Sequence, residues 1–127
     1  MATKEVINSP AAPKPIGPYS QAIRSNGTLY ISGQIAIDQS TGMLITDNIE
    51  EETHQVMRNL NAILGEAGLT FNNIVKCSIF IRDMDQFAAI NSVYATYFSE
   101  SPPARETVEV VRLPKDVNVE ISAIAVS

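Results

Sequence analysis

Arg105 and Glu120 are the two side chains in this sequence best suited to polar chemistry. Arg105 follows Ser101-Pro102-Pro103-Ala104, where two prolines stiffen the approach to a strand. A guanidinium held there can grip a carboxylate through two parallel hydrogen bonds, a geometry that lysine does not reproduce. The plainer reading of the same position is a solvated arginine on an edge strand. Glu120 sits inside the apolar strand Val119-Glu120-Ile121, where glutamate is disfavoured. Partial burial there would raise its carboxyl pKa, which suits a general base or a group that orients water. Alternation alone also allows it to face solvent. Asn91 borders the apolar stripe of a helix beside Phe87 and Phe98, so its amide meets either backbone or a cleft. Tyr19 and Ser32 offer hydroxyls, and Gly33 permits close backbone approach.

Composition removes most other chemistry. The chain has 127 residues, the length of one domain, and we read 1–127 as a single unit. Apolar residues at 45% and charged residues at 18% describe a globular chain rather than a disordered one. Nine Lys and Arg against 14 Asp and Glu leave a net charge of −5, and no basic run is present, so nucleic acid is a poor partner. The single cysteine, Cys77, excludes an internal disulfide and a cysteine-rich metal site. The single histidine, His54, excludes multi-histidine metal sites, and no metal or cofactor is expected. His54 reads as solvent-facing, while Cys77 shares a strand face with Val75, Ile79 and Ile81 and reads as an inert core thiol. No apolar run approaches the roughly 18 residues of a membrane span, and Met1 to Pro15 lacks a signal-like apolar region, so a cytoplasmic protein is expected.

The elements that must position these residues follow from periodicity. Pro10, Pro13, Pro15 and Pro18 make the segment before Tyr19 an extended loop. Tyr19 to Ser25 and Thr28 to Ile37 flank Asn26-Gly27, a strong hairpin signal. In the second run Leu29, Ile31, Gly33, Ile35 and Ile37 share one face, with Ser32 and Gln34 opposite. A short strand follows at Met43 to Thr46. Ile49 to Ala67 reads as a helix capped by Asn48, with Val56, Leu60, Ile63 and Leu64 buried. Ile74 to Arg82 is a strand, and Asp85 to Phe98 a second helix with Phe87, Ile90, Tyr94, Tyr97 and Phe98 on its stripe. Strands at Arg105 to Arg112 and Val117 to Val126 then flank the turn Leu113-Pro114-Lys115-Asp116. The expectation is an α+β fold with two helices packed on one face of a sheet. Ile124 and Val126, on the other face, need a cover that a neighbouring subunit would supply.

In order and spacing, the segments Ile16-Gly17-Pro18-Tyr19-Ser20-Gln21-Ala22, Ile31-Ser32-Gly33-Gln34 and Phe80-Ile81-Arg82-Asp83-Met84 resemble the RidA (YjgF-like) family of reactive-intermediate deaminases. So do Phe87, Asn91, Tyr94 and Tyr97-Phe98, Pro103 through Val110, Leu113-Pro114-Lys115-Asp116 and Val119-Glu120-Ile121. The resemblance implies a chorismate-mutase-like mixed sheet, a homotrimer with sites between subunits, and no cofactor. It also implies hydrolysis of 2-imino acids and their enamine tautomers, such as 2-aminoacrylate and 2-iminobutanoate, to 2-oxo acids and ammonia. Arg105 would bind the substrate carboxylate and Glu120 would place or activate water. Tyr19, Ser32, Gly33, Asn91 and the backbone at Thr107 would line the pocket. Thr107 stands where many members carry cysteine, which removes thiol chemistry there but keeps a carbonyl contact.

If the last two strands form a hairpin, Arg105 pairs near Ile124 and Glu120 near Glu109, leaving the two groups roughly 13 Å apart along the strand. Direct contact within one chain is then not expected. Either substrate and water bridge them, or Glu120 meets Arg105 of a neighbouring chain. A non-catalytic module that binds small carboxylates is the rival expectation; it would keep Arg105 and tolerate loss of Glu120.

Overall fold

Turn chemistry sets the first hairpin. Asn26 and Gly27 both adopt positive φ, 52° and 80°, the left-handed pair that a tight two-residue connection requires. They join β2 (Ala22–Ser25) to β3 (Thr28–Gln34) in antiparallel register, and β1 (Glu5–Ile7) extends the sheet beyond β2. The structure, a computed structural model, describes residues 3–127. After a small antiparallel pair, β4 (Ile37–Asp38) and β5 (Met43–Leu44), the chain enters helix α1 (Ile49–Glu66). Asn48 caps this helix as expected, its Oδ1 accepting from the Glu51 N–H at 2.8 Å. The remaining elements are β6 (Ile74–Ile81), α2 (Phe87–Ala95), β7 (Ala104–Glu109) and β8 (Val119–Val126). No helix among the described residues is long and apolar enough to cross a membrane.

The main sheet runs β1-β2-β3-β8-β6-β7, mixed in direction, with both helices packed against it. Val56, Met57, Leu60, Ile63 and Leu64 of α1 are fully buried against Ile79, Ile81, Val119 and Ile121. This is the expected α+β architecture. Cys77 is likewise fully buried, as its strand face requires. One buried carboxylate was not anticipated. Glu52 of α1 is fully buried and accepts from the backbone N–H and the side-chain amide of Asn118, both at 2.7 Å, fastening the helix to the residue before β8.

Three expectations need correction. The last two strands do not pair as a hairpin. β7 lies parallel to β6 at the sheet edge, while β8 lies antiparallel to β6 on its other side. The connection from β6 through α2 to β7 is a parallel crossover, and Leu113-Pro114-Lys115-Asp116 carries the chain past β6 instead of folding it back. Arg105 therefore pairs with Cys77, and Glu120 with Phe80. The alternation in β3 also breaks. Ile31 pairs with Ala123 but Gln34 with Ile121, so one extra residue enters at Ser32-Gly33. This bulge turns Gln34 into the core, where it is 5% exposed, and brings Gly33 to the helix-free face beside Ser32. His54 is half-buried rather than solvent-facing, with Nδ1 lying 2.7 Å from the Tyr97 hydroxyl.

Candidate active site

The expected site residues fall into two groups on opposite faces of the sheet. The first gathers on the helix face at the β7 edge. The Cys77 register directs Arg105 toward α2, where its Nη2 donates to the Asn91 Oδ1 at 2.5 Å. Its guanidinium carbon lies 4.9 Å from the Tyr94 ring centroid and 5.6 Å from that of Phe87. Asn91, Tyr94, Phe98, Pro102, Pro103 and Arg105 line a cavity of about 300 Å³. The helical spacing of Asn91, Tyr94 and Phe98 builds this wall, since residues three and four apart stack on one side of α2 and its extension. Arg105 forms no ion pair among the described residues, although Arg24, Lys76 and Arg112 each hold a carboxylate. A half-buried guanidinium with one amide partner has donors left for an anion.

The second group sits on the helix-free face. Ile16, Tyr19, Ser32, Gly33, Pro114 and Glu120 line a cavity of about 330 Å³. Glu120 packs on Gly33 so closely that a methyl group there would collide with its Oε2. Burial pushes the Glu120 carboxyl above its ordinary value, and the group forms no ion pair among the described residues. Ser32 Oγ donates to the Ser20 carbonyl at 2.6 Å, and the Tyr19 hydroxyl accepts from the Ile16 N–H at 3.2 Å. Sequence reasoning missed what holds this loop. Gln21, 2% exposed, accepts from the Ser9 N–H at 2.6 Å and donates to the Ser9, Ala12 and Pro13 carbonyls, clamping the proline-rich segment. The available signal was a glutamine beside a strand whose neighbour Ala22 is apolar.

Thr107 lines neither cavity. It is half-buried, two residues beyond Arg105 on the same strand face, and the outer edge of β7 has no strand partner. Arg105 and Glu120 are two strands apart and three residues apart along β6, roughly 14 Å between Cα atoms. With their side chains on opposite faces, they do not meet in one chain. The separation expected from the sequence holds, though for a different topological reason.

The family model described as Endoribonuclease L-PSP matches residues 9–127. A RutC family protein of Pyrococcus horikoshii is 54% identical over 122 residues, covering 96% of this chain and 97% of its own. A mouse protein named 2-iminobutanoate/2-iminopropanoate deaminase is 46% identical, covering 97% of this chain and 91% of its own. Among solved structures, a conserved Rid family protein from Yersinia pestis superposes with a TM-score of 0.95 at 49% identity, covering 98% of this chain and 100% of its own. With the fold, the ordered motifs and the whole-chain matches in agreement, the chain belongs to the endoribonuclease L-PSP family, the Rid or YjgF-like proteins.

Proposed function

We propose that this protein hydrolyses small 2-imino acids and their enamine tautomers to 2-oxo acids and ammonia, in a pocket assembled from two copies of the chain. The observation that carries the reading is Arg105: a half-buried guanidinium at a cavity, steadied by Asn91 and without a carboxylate partner among the described residues. A small carboxylate fits its remaining donors. The net charge of −5 makes this local cation the electrostatic target for an anionic substrate and disfavours a polyanion such as RNA.

The chemistry balances with the residues present. Water adds to the carbon of the protonated imine while Glu120 accepts one of its protons. Glu120 then gives that proton to the nitrogen of the carbinolamine, and ammonia leaves as the C=O bond forms and the hydroxyl proton passes to the Glu120 carboxylate. Imines hydrolyse without help, so orientation of water against a clamped substrate supplies most of the acceleration needed. The raised Glu120 pKa brings the base nearer to working pH. The mouse relative's name, a deaminase of 2-iminobutanoate and 2-iminopropanoate, supports this substrate class.

Because the two groups lie on opposite faces, a complete pocket needs a second chain. The helix-free face supports the same conclusion, with Val6 57% and Tyr30 51% exposed beside half-buried Ile124. We place a neighbouring copy there, closing a homotrimer in which Arg105 of one chain faces Glu120 of the next. The test is ammonia release from freshly generated 2-iminobutanoate, above the uncatalysed rate, for wild type, Arg105→Ala and Glu120→Ala. The reading expects kcat/KM to fall by on the order of 100-fold in each variant. Equal rates for all three would overturn it. Wild-type binding of 2-oxobutanoate without turnover would instead make the chain a carboxylate-binding module.

A further inference from the structure

The Arg105 guanidinium rests on an aromatic ring whose own polar group has nothing to do. Tyr94 is 4% exposed, and its hydroxyl is sealed from solvent without a well-formed hydrogen bond among the described residues. Among the described residues the Cys77 thiol is its polar neighbour, a weak partner, and burial pushes the ionisation of both groups upward. Neither group changes charge near neutral pH.

The useful surface is the ring. Its centroid is the nearer of two beneath the Arg105 guanidinium carbon, 4.9 Å against 5.6 Å for Phe87. Asn91, one turn earlier on α2, fixes one edge of the same group through Nη2. A guanidinium is planar, so a ring beneath it and an acceptor at one edge together determine where its free donors point. From this geometry we infer that Tyr94 is a positioning residue: its ring, not its hydroxyl, sets the plane in which Arg105 receives the substrate carboxylate. The inference rests on the proposed role of Arg105 as the carboxylate clamp. Asn91 supplies direction and Tyr94 supplies height.

The experiment compares wild type, Tyr94→Phe and Tyr94→Leu. Three readouts are taken: the Kd for 2-oxobutanoate by calorimetry, the kcat and KM for 2-iminobutanoate, and side-chain NMR of Arg105. Tyr94→Phe keeps the ring and is expected to retain wild-type Kd and KM. Tyr94→Leu is expected to weaken both by about 10-fold, with the smaller change in kcat. The Arg105 side-chain protons should be shifted upfield by the ring in wild type and Tyr94→Phe and should lose that shift in Tyr94→Leu. Normal affinity in a folded Tyr94→Leu, or equal losses in both variants, would overturn the inference. Should Tyr94→Leu not fold, Phe87→Leu replaces it, with a smaller loss expected from removing the more distant ring and an unchanged Kd counting against the aromatic support. The NMR shift needs no ligand. If it follows the ring while wild type neither binds 2-oxobutanoate nor turns over the imine, the functional reading fails and the positioning role stands.

Discussion

The Glu120 carboxyl group fills the space that a side chain on Gly33 would need, and this one relationship explains why the β3 bulge matters to the site. Without the extra residue at Ser32-Gly33, Gly33 would face the core beside Ile31. With it, a residue lacking a side chain stands under the candidate base, and its Cβ position is already occupied by Glu120 atoms. Gly33→Ala should therefore move Glu120 rather than unfold the chain. Because φ at Gly33 is not positive, the substitution carries no left-handed backbone strain. We expect kcat on 2-iminobutanoate to fall by about 100-fold, as befits displacement of a catalytic group by about an ångström. The affinity for 2-oxobutanoate should change far less. A Gly33→Ala enzyme with wild-type kcat would show that the contact has no functional weight.

Glu120 should also be a stability liability. Burial raises its pKa in the folded chain, so the folded state binds the proton more tightly than the unfolded one. The penalty builds as pH rises from the unfolded pKa and is complete once pH exceeds the folded one. Glu120→Gln is expected to raise the urea midpoint at pH 7 while lowering kcat/KM by on the order of 100-fold. The two proteins should converge in stability below about pH 4, where both side chains are uncharged. In wild type, the acid limb of the kcat/KM profile should lie above the range of an ordinary carboxyl group. A destabilised Glu120→Gln at pH 7 would show that the charge is compensated.

The pair formed by Glu52 and Asn118 tests how the base is held. Glu52 is fully buried and satisfies two donors of Asn118, two residues before Glu120. Glu52→Gln turns one acceptor into a donor facing a donor. The expected cost is about 1–3 kcal/mol of unfolding free energy, read by urea denaturation, with a parallel fall in kcat. Unchanged stability would mean that water replaces the lost acceptor.

Much of this fold was legible in local signals. Asn26-Gly27, the Asn48 cap and the buried stripe of α1 are each determined by residues within a few positions of one another, and the structure has all three. The pairing of β7 was not legible. Alternation states which face of a strand is apolar, but not which strand lies beside it, and a hairpin and a parallel crossover give Arg105 to Glu109 the same pattern. The β3 bulge escaped for a similar reason, because Ser32-Gly33 keeps its composition whichever way Gln34 turns. Arg105 and Asn91 were readable as candidates, and the structure joins them. Tyr94 read only as core, since helical periodicity records that its ring is buried and not what rests on it. The long-range placements came from topology: the opposite faces of Arg105 and Glu120, and the Gln21 clamp on the proline-rich loop.

Subunit mixing tests the composite pocket most directly. Arg105→Ala and Glu120→Ala proteins, each inactive alone, are co-refolded at equal ratio and assayed with 2-iminobutanoate. In a closed ring of three, random mixing leaves about a quarter of the interfaces with an intact Arg105 facing an intact Glu120. The account predicts that about this fraction of wild-type activity returns. If the co-refolded chains form mixed oligomers and the rate stays at that of the inactive parents, Arg105 and Glu120 of different chains do not share a site, and the account is contradicted.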